Sequence, residues 1–228
     1  MKSLRRPVVH KGVTYPEYEM DFYTSDVYGK RFKDRALKPL RKGTEVYLAF
    51  NISIEGRKFT VLQHQLLAET FPDLISESPI VSHYSLQIGR DRHELKTPTG
   101  FTFLCKMVCP DHIDGDPSNN HHCNLMLVTQ FENIIRCEGW NGKKYKGVYK
   151  TVYGTYQVRI IYENILDENG KHFRMYKLFK TEEEAVLAYN TMLEEALLTI
   201  WGPDLGPKMY DIAYKNVIET PVQKELFV

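Results

Sequence analysis

The chain has 228 residues, of which 43% are hydrophobic and 26% charged, and its formal net charge at pH 7 is +1. This length is enough for one large domain or two to three small ones, and the composition is ordinary for a globular protein. No apolar run approaches the roughly 20 residues that span a bilayer, which argues against a membrane protein. The balanced charge also excludes an indiscriminate polycation.

The N-terminus and the cysteine content indicate a cellular compartment. The basic start, from Lys2 to Arg6, is not followed by an apolar segment, so we expect no secretory signal. Four cysteines in a chain of this length are too few for a disulfide scaffold. We therefore expect a protein of the reducing cytoplasm with no membrane partner.

Charge is unevenly distributed along the chain. Residues 1–58 and residues 141–180 each carry a net charge of +6, whereas residues 111–140 carry −4. Two basic blocks could hold a polyanion while the acidic centre holds a cation, as expected of a metal-dependent nuclease. Ordinary variation between solvated faces produces the same pattern, so charge alone leaves both interpretations open.

The N-terminal region, residues 1–75, is predicted to contain a hairpin and a helix. Alternating residues with a turn at Glu55–Gly56 predict a β-hairpin over residues 45–61. A short helix follows and ends before Pro72. The apolar side of this helix consists of Leu62, Leu66, Leu67 and Phe71. His64 lies on the same helix and is expected to be a packed core residue.

The central region, residues 76–140, is predicted to fold as strand, loop, strand and helix over residues 101–139, after a connection of little periodicity. Phe101–Val108 is apolar enough for a strand that Pro110 ends, and Leu125–Thr129 is a second strand. Thr129 and Glu132 have the spacing of a capping box, so a helix should begin there and run to about Gly139.

The C-terminal part is predicted to be a compact α+β module over residues 141–200, followed by a tail over residues 201–228. A second capping box, Thr181 with Glu184, starts an amphipathic helix. Three strands precede it, at Tyr145–Lys150, Thr155–Tyr162 and Arg174–Phe179. The apolar face of the helix consists of Ala185, Ala188, Tyr189, Met192 and Ala196.

Four residues of the central region carry a candidate hydrolytic chemistry. Phosphodiester hydrolysis needs a base for water and a cation for the phosphate charge. The imidazole of His112 can serve as the base at neutral pH. The carboxylate of Asp111 and the amide oxygen of Asn133 are hard donors of the kind that Mg²⁺ prefers. Asn124, where the second strand begins, could hydrogen-bond the imidazole and fix its tautomer.

Adjacency of Asp111 and His112 poses a geometric question, because neighbouring side chains of a regular strand point to opposite faces. Either the strand is distorted after Pro110, or the two side chains approach a phosphate from different sides.

The run Asp-His-Ile-Asp-Gly-Asp-x-x-Asn-Asn-x-x-x-Asn-Leu-x-x-Val-Thr-x-x-Glu-Asn, residues 111–133, resembles the HNH (ββα-metal) homing endonucleases of phages and group I introns. The resemblance implies catalytic His112 and Asn124 and one Mg²⁺ or Mn²⁺ held by Asp111 and Asn133. It also implies site-specific cleavage of double-stranded DNA, DNA contact by the N-terminal region, no small-molecule cofactor, a monomer on DNA and a phage-infected or bacterial host cell. In this chain Asn133 replaces the second His of the HNH name.

Three segments of residues 147–190 carry a second similarity: Gly147-Val-Tyr, Gly154-Thr-Tyr-Gln-Val-Arg-Ile and the helix start after Phe179. They are similar to AP2 DNA-binding domains, which lay a three-stranded sheet in the major groove. The groove-facing Trp usual in that family is Tyr156 here. The similarity implies DNA contacts from Lys150, Tyr156, Gln157, Arg159 and Lys177.

Other polar residues near residues 111–133 receive simpler interpretations. Asp114 and Asp116 are expected to form the turn, and His121 and His122 to be solvated or to contact phosphate. The four cysteines, Cys105, Cys109, Cys123 and Cys137, are expected to be buried thiols, with a structural Zn²⁺ site as the alternative.

The prediction is thus an α+β protein with a hairpin/helix region, a nuclease motif and an AP2-like module. Two functional alternatives remain open: a DNA-binding regulator on a decayed nuclease scaffold, and a restriction or repair nuclease.

Overall fold

The computed structural model describes residues 3–41, 47–54, 56–137 and 144–217, with the backbone alone at residues 32, 33 and 54. Strands and helices are mixed along the chain, which makes it an α+β protein. The strands are β1 (Arg5–His10), β2 (Val13–Asp21), β3 (Val27–Gly29), β4 (Phe32–Ala36), β5 (Leu40–Arg41), β6 (Leu48–Ile54), β7 (Arg57–Leu62), β8 (Ser76–Glu77), β9 (His93–Lys96), β10 (Thr102–Cys105), β11 (Val108–His112), β12 (Leu125–Thr129), β13 (Val148–Lys150), β14 (Tyr156–Leu166) and β15 (His172–Phe179). The helices are α1 (Gln63–Thr70), α2 (Pro79–Tyr84), α3 (Gln130–Arg136) and α4 (Glu182–Ile212). Within these described ranges, no helix is both long and apolar enough to cross a membrane.

The chain forms two compact units. The first contains Met1–Arg92 and Lys106–Asn133, and the second contains His93–Cys105 and Ile134–Val228. The sequence assigned residues 93–105 to the central region. In the structure these residues form β9 and β10, and β10 pairs with β14. Strand pairing therefore moves this segment into the unit that contains the C-terminal part.

The first unit begins with an antiparallel sheet in the order β1-β2-β3-β4, which the sequence analysis did not predict. A signal for it was present: Lys11 and Gly12 join β1 to β2 in a two-residue turn, and both have positive φ angles of 52° and 74°. Two-residue turns with positive φ at both positions match the twist of a hairpin.

The predicted hairpin and helix that follow are confirmed within the described residues. β6 and β7 pair antiparallel, with Ile54 opposite Arg57. Residues 45 and 46, at the start of the predicted hairpin, and Glu55, in its predicted turn, lie outside the described part of the chain. α1 follows and buries Leu66 and Leu67, and it ends one residue before Phe71.

The prediction that Pro110 ends a strand was wrong. Pro110 lies inside β11, opposite Leu127 of β12, and the antiparallel register is unbroken from Val108 to His112. The sheet order is β11-β12-β8, so β11 is an edge strand of this sheet. Proline is tolerated at an edge because its missing N–H can face away from the paired strand.

The predicted start of α3 is confirmed by its hydrogen bonds. The Glu132 N–H donates to Thr129 Oγ1 at 3.2 Å, and the Thr129 N–H donates to a Glu132 carboxylate oxygen at 2.9 Å. These are the two reciprocal bonds of a capping box. The helix ends at Arg136, earlier than predicted, and Gly139 lies outside the described residues.

Glu132 also contacts the start of α2. Its fully buried carboxylate accepts the Ser78 hydroxyl at 2.6 Å and the Ile80 N–H at 2.8 Å. Burial raises the pKa of Glu132, and the hydrogen bonds from Ser78, Thr129 and Ile80 oppose that rise. One carboxyl group thus accepts hydrogen bonds at the starts of both α2 and α3.

The second unit is built on a five-stranded sheet in the order β13-β14-β10-β9, with β15 paired to β14. The three strands predicted in residues 145–179 correspond to β13, β14 and β15. α4 begins with the predicted capping box of Thr181 and Glu184 and packs against β14. The predicted tail is partly wrong, because α4 continues to Ile212 across a break at Gly202, where φ is 71°.

Replacing Glu132 should destabilise the first unit. Glu132→Ala leaves the buried Ser78 and Thr129 hydroxyls and the Ile80 N–H without their acceptor, so we expect a loss of about 3 kcal/mol in the free energy of unfolding. Urea denaturation of the variant measures this loss. Glu77→Ala, at an exposed position of the same unit, is the control for removing a carboxylate; an equal loss there would contradict a special role for Glu132.

Candidate functional site

His112 is the last residue of β11 and is buried, with 7% of its surface exposed. Its ring lies edge-on to that of His64 on α1, with the centroids 5.0 Å apart. The Tyr47 ring lies 6.2 Å away. The imidazole is therefore enclosed between the β11–β12 hairpin, α1 and the residue preceding β6.

A chain of buried amides holds one nitrogen of this imidazole. Gln63 Nε2 donates to the backbone oxygen of Ser25 at 2.8 Å. Asn120 Nδ2 donates to Gln63 Oε1 at 3.1 Å, and Asn120 Oδ1 lies 2.9 Å from His112 Nε2.

This chain determines the tautomer of the neutral ring. A backbone carbonyl can only accept, so the Gln63 atom beside Ser25 must be its NH₂ group, and its oxygen must accept from Asn120. The oxygen of Asn120 then faces the imidazole and requires a proton on Nε2. The neutral His112 ring consequently carries its lone pair on Nδ1.

The buried amides were missed by sequence reasoning. Asn120 was seen only as part of a polar loop, and Gln63 was not singled out. The Ser25 hydroxyl donates to the Asn120 backbone oxygen at 2.8 Å, which fixes the loop from a second direction. Since Ser25 and Asn120 are 95 positions apart, no local signal in the sequence could have paired them.

Asn124 braces the loop. Its Oδ1 accepts the Asp114 N–H at 3.1 Å, and its Nδ2 donates to Asp114 Oδ1 and to the Asn119 backbone oxygen, both at 2.8 Å. The hydrogen bond to the imidazole that we expected from Asn124 is thus made by Asn120. The reason is geometric: Asn124 is committed to the loop backbone, whereas the Asn120 side chain is buried beside the ring.

Asp114 and Asp116 form turns, as their sequence context indicates. The Asp116 N–H donates to Asp114 Oδ1, and the Ser118 N–H donates to Asp116 Oδ1, both at 2.8 Å. Hydrogen bonds from Asn124, Asn119 and the Asp116 backbone lower the pKa of Asp114. Both carboxylates are occupied with shaping the loop.

Asp111 and Asn133 belong to the same unit as His112. Asp111 is half-buried in β11, opposite Met126, and Asn133 is half-buried in α3. The strand is regular at this point, so the side chains of Asp111 and His112 project to opposite faces. Of the two possibilities that the sequence left open, a strand distorted after Pro110 is therefore excluded.

Three metal-ligating side chains meet at the end of the loop. Donor atoms of His121, His122 and Cys123 all lie within 4.8 Å of one another. Burial, with a smaller effect of His121, lowers the pKa of His122. No disulfide joins any of the four cysteines; Cys109 and Cys123 belong to the first unit, and Cys105 and Cys137 to the second.

In the second unit, strand register divides the predicted DNA contacts between two faces. Val158 and Ile160 of β14 are buried on the face that bears α4, so Gln157 and Arg159 point to the open face. Lys177 pairs with Val158 and shares its face, the one covered by α4.

Lys150 and Tyr156 are likewise on the α4 side, since they pair with each other two residues along from the Val148–Val158 pair. Lys150 lines a cavity of about 380 Å³ that Glu182, at the start of α4, also lines. Two of the five expected contacts therefore share the open face, and three lie on the other one.

The open face contains residues that the sequence analysis did not select. Register places Tyr149 and Leu178 beside Gln157, Tyr176 beside Arg159, and Arg174 beside Ile161. The Arg159 guanidinium lies 4.9 Å from the centroid of the Tyr149 ring. The open face thus combines two arginines with two tyrosines, and it leaves Leu178 61% exposed.

No protein-family model, curated protein or solved structure gave a significant match to this chain.

The enclosed His64 should make stability depend on pH. Burial, with a smaller effect of His112, lowers the pKa of His64 from 6.5 to about 4. The unfolded chain therefore takes up a proton at higher pH than the folded one, and stability falls as pH decreases from 6.5 to 4. The full effect is roughly 3 kcal/mol, at about 1.4 kcal/mol per pKa unit.

Urea denaturation at pH 7 and pH 4.5 measures this dependence, with His64→Leu removing the titrating group. The variant should lose less stability on acidification than the wild type. His83→Ala, which removes an exposed histidine of α2, should leave the dependence unchanged. Equal acid sensitivity of His64→Leu and wild type would contradict the prediction.

Proposed function

We propose that the chain is a divalent-metal-dependent DNA endonuclease of the HNH type. The observation that carries this proposal is the unit formed by β11, β12 and α3, in which Asp111, His112, Asn124 and Asn133 lie on consecutive elements. The buried amide on Nε2 of His112 supports it further, because a general base requires a defined tautomer. The proposal also rests on the resemblance of residues 111–133 to that family.

In this mechanism His112 accepts a proton from the attacking water through Nδ1. Asn120 keeps Nε2 protonated and holds the ring plane, so it is a positioning residue. As only 7% of His112 is exposed, the proposal requires that the exposed part include Nδ1. Asn124 contributes indirectly, by holding the loop that brings Asn120 to the ring.

The donors of Asp111 and Asn133 fit a hard cation. A carboxylate and a carboxamide oxygen, both half-buried, are ligands suited to Mg²⁺ or Mn²⁺, which take their remaining ligands from water and substrate. When bound, such a cation neutralises charge on the phosphate and the leaving oxygen.

The second unit is proposed to provide sequence recognition, with the open face of its sheet against duplex DNA. Arginine contacts phosphate or guanine, and tyrosine and glutamine add stacking or base-edge contacts. The N-terminal region is a second proposed DNA contact. Together these features favour a site-specific homing enzyme, acting as a monomer in the cytoplasm of a phage-infected or bacterial cell.

A second function is favoured by the burial of His112. A histidine enclosed by His64, Asn120 and Tyr47 is also what a decayed nuclease scaffold would retain as a structural residue. Such a protein would bind DNA as a regulator without cleaving it.

Plasmid cleavage distinguishes these functions. The wild type with Mg²⁺ or Mn²⁺ should convert supercoiled plasmid carrying its target to nicked or linear product, and His112→Ala should lower the rate by at least about 10²-fold. His83→Ala, the matched control, should cleave normally. Equal cleavage by wild type and His112→Ala would exclude His112 as the base, and binding without cleavage under either metal would favour the regulator.

Substitutions on the two faces of the sheet test the DNA interface. The double variant Arg159→Ala/Arg174→Ala removes two charges from the open face, and Lys150→Ala/Lys177→Ala removes two from the other face. Fluorescence anisotropy with labelled duplex should show about tenfold or greater weakening for the arginine pair. A larger loss for the lysine pair would place DNA on the opposite side.

A further inference from the structure

We propose that His121, His122 and Cys123 bind a borderline-soft divalent ion of the zinc class, at a site distinct from the Asp111–Asn133 pair. The inference concerns the loop between β11 and β12 and does not depend on the proposed nuclease function. Two imidazoles and a thiol are the donor types that select zinc over magnesium.

The spacing of the donors is compatible with one ion. Tetrahedral zinc has bonds of about 2.0–2.3 Å, which place neighbouring ligand atoms about 3.5 Å apart. The three donors already lie within 4.8 Å of one another. His121 and Cys123 are exposed at the surface, so rotation of these two side chains can close the remaining distance without moving the core.

His122 provides the fixed donor of the set. Its ring packs against Phe22 at 4.4 Å and Tyr23 at 5.5 Å, and against His121 at 4.3 Å between centroids. Nδ1 of His122 is buried and has no hydrogen-bond partner among the residues that the structure describes. A buried polar atom without a partner is uncommon, and an ion is one of its physical explanations.

The local backbone brings the other two donors together. The Cys123 N–H donates to His121 Nδ1 at 3.4 Å, which folds the His121 side chain over the start of the short 3₁₀ turn His122–Asn124. This hydrogen bond is long, so an ion could replace it at small cost. Three protein ligands leave a fourth position for water, as in open zinc sites.

Binding would connect this loop to the N-terminal sheet of the same unit. Through His122 the ion is anchored against Phe22 and Tyr23, which follow β2. The site would therefore act as a clamp on the loop that carries Asn120 and Asn124. Zn²⁺ should accordingly raise the unfolding temperature of the first unit.

Cobalt substitution tests the site directly. The full-length protein, stripped of metal and kept reduced with a phosphine, is titrated with Co²⁺ and then with Zn²⁺. We expect a thiolate-to-cobalt charge-transfer band in the near ultraviolet at one equivalent, together with visible bands of tetrahedral cobalt. Zn²⁺ should displace both signals, because zinc binds such sites more tightly than cobalt.

Variants assign the signal to these residues. Cys123→Ser should abolish the charge-transfer band, and His121→Ala should weaken Co²⁺ binding at least tenfold; both positions are exposed, and circular dichroism checks that the variants fold. Cys109→Ser, the matched control in the same unit, should keep the band. Absence of a charge-transfer band in the wild type, its survival in Cys123→Ser, or its loss in Cys109→Ser would overturn the proposal.

Discussion

The buried carboxyl group of Glu132 is the contact on which the arrangement of the candidate site depends. It accepts hydrogen bonds from the backbone and side chain of Thr129, from the Ser78 hydroxyl and from the Ile80 N–H. Because these donors lie at the starts of α3 and α2, the direction in which α3 leaves β12 is tied to α2. Asn133 is the next residue on α3, so its position follows from a residue with no part in the chemistry.

The hydrogen bonds that run from Ser25 through Gln63 and Asn120 to His112 form a second buried polar network in the same unit. Each buried network satisfies polar groups that would otherwise cost free energy, and each recruits residues far from positions 111–133. The recognisable motif is therefore not self-contained. Its imidazole depends on α1 and on the loop after β2, which explains why the first unit includes the whole N-terminal region.

Features set by local spacing were predictable from the sequence, and features set by distant pairing were not. The capping box of Thr129 and Glu132 spans four residues, and so does that of Thr181 and Glu184; both formed as expected. By contrast, β10 pairs with β14 some sixty residues later, which no periodicity indicates. Similarly, the loop contains several amides, and only the tertiary fold decides that Asn120 contacts the imidazole.

The sequence alone predicts which side chains of β14 share a face of the sheet. It does not predict which side chains of β15 lie on the same face as those of β14. Alternation along β14 already separates Tyr156 from Gln157 and Arg159. Whether Lys177 joins them depends on its pairing with Val158, which is set by the length and turn of the connection between β14 and β15. A shift of one residue there would place Lys177 on the open face instead of Tyr176. The chemistry of that face, arginine with tyrosine instead of lysine, is thus a consequence of strand register, and positive charge in the sequence is by itself an insufficient guide to a DNA-binding surface.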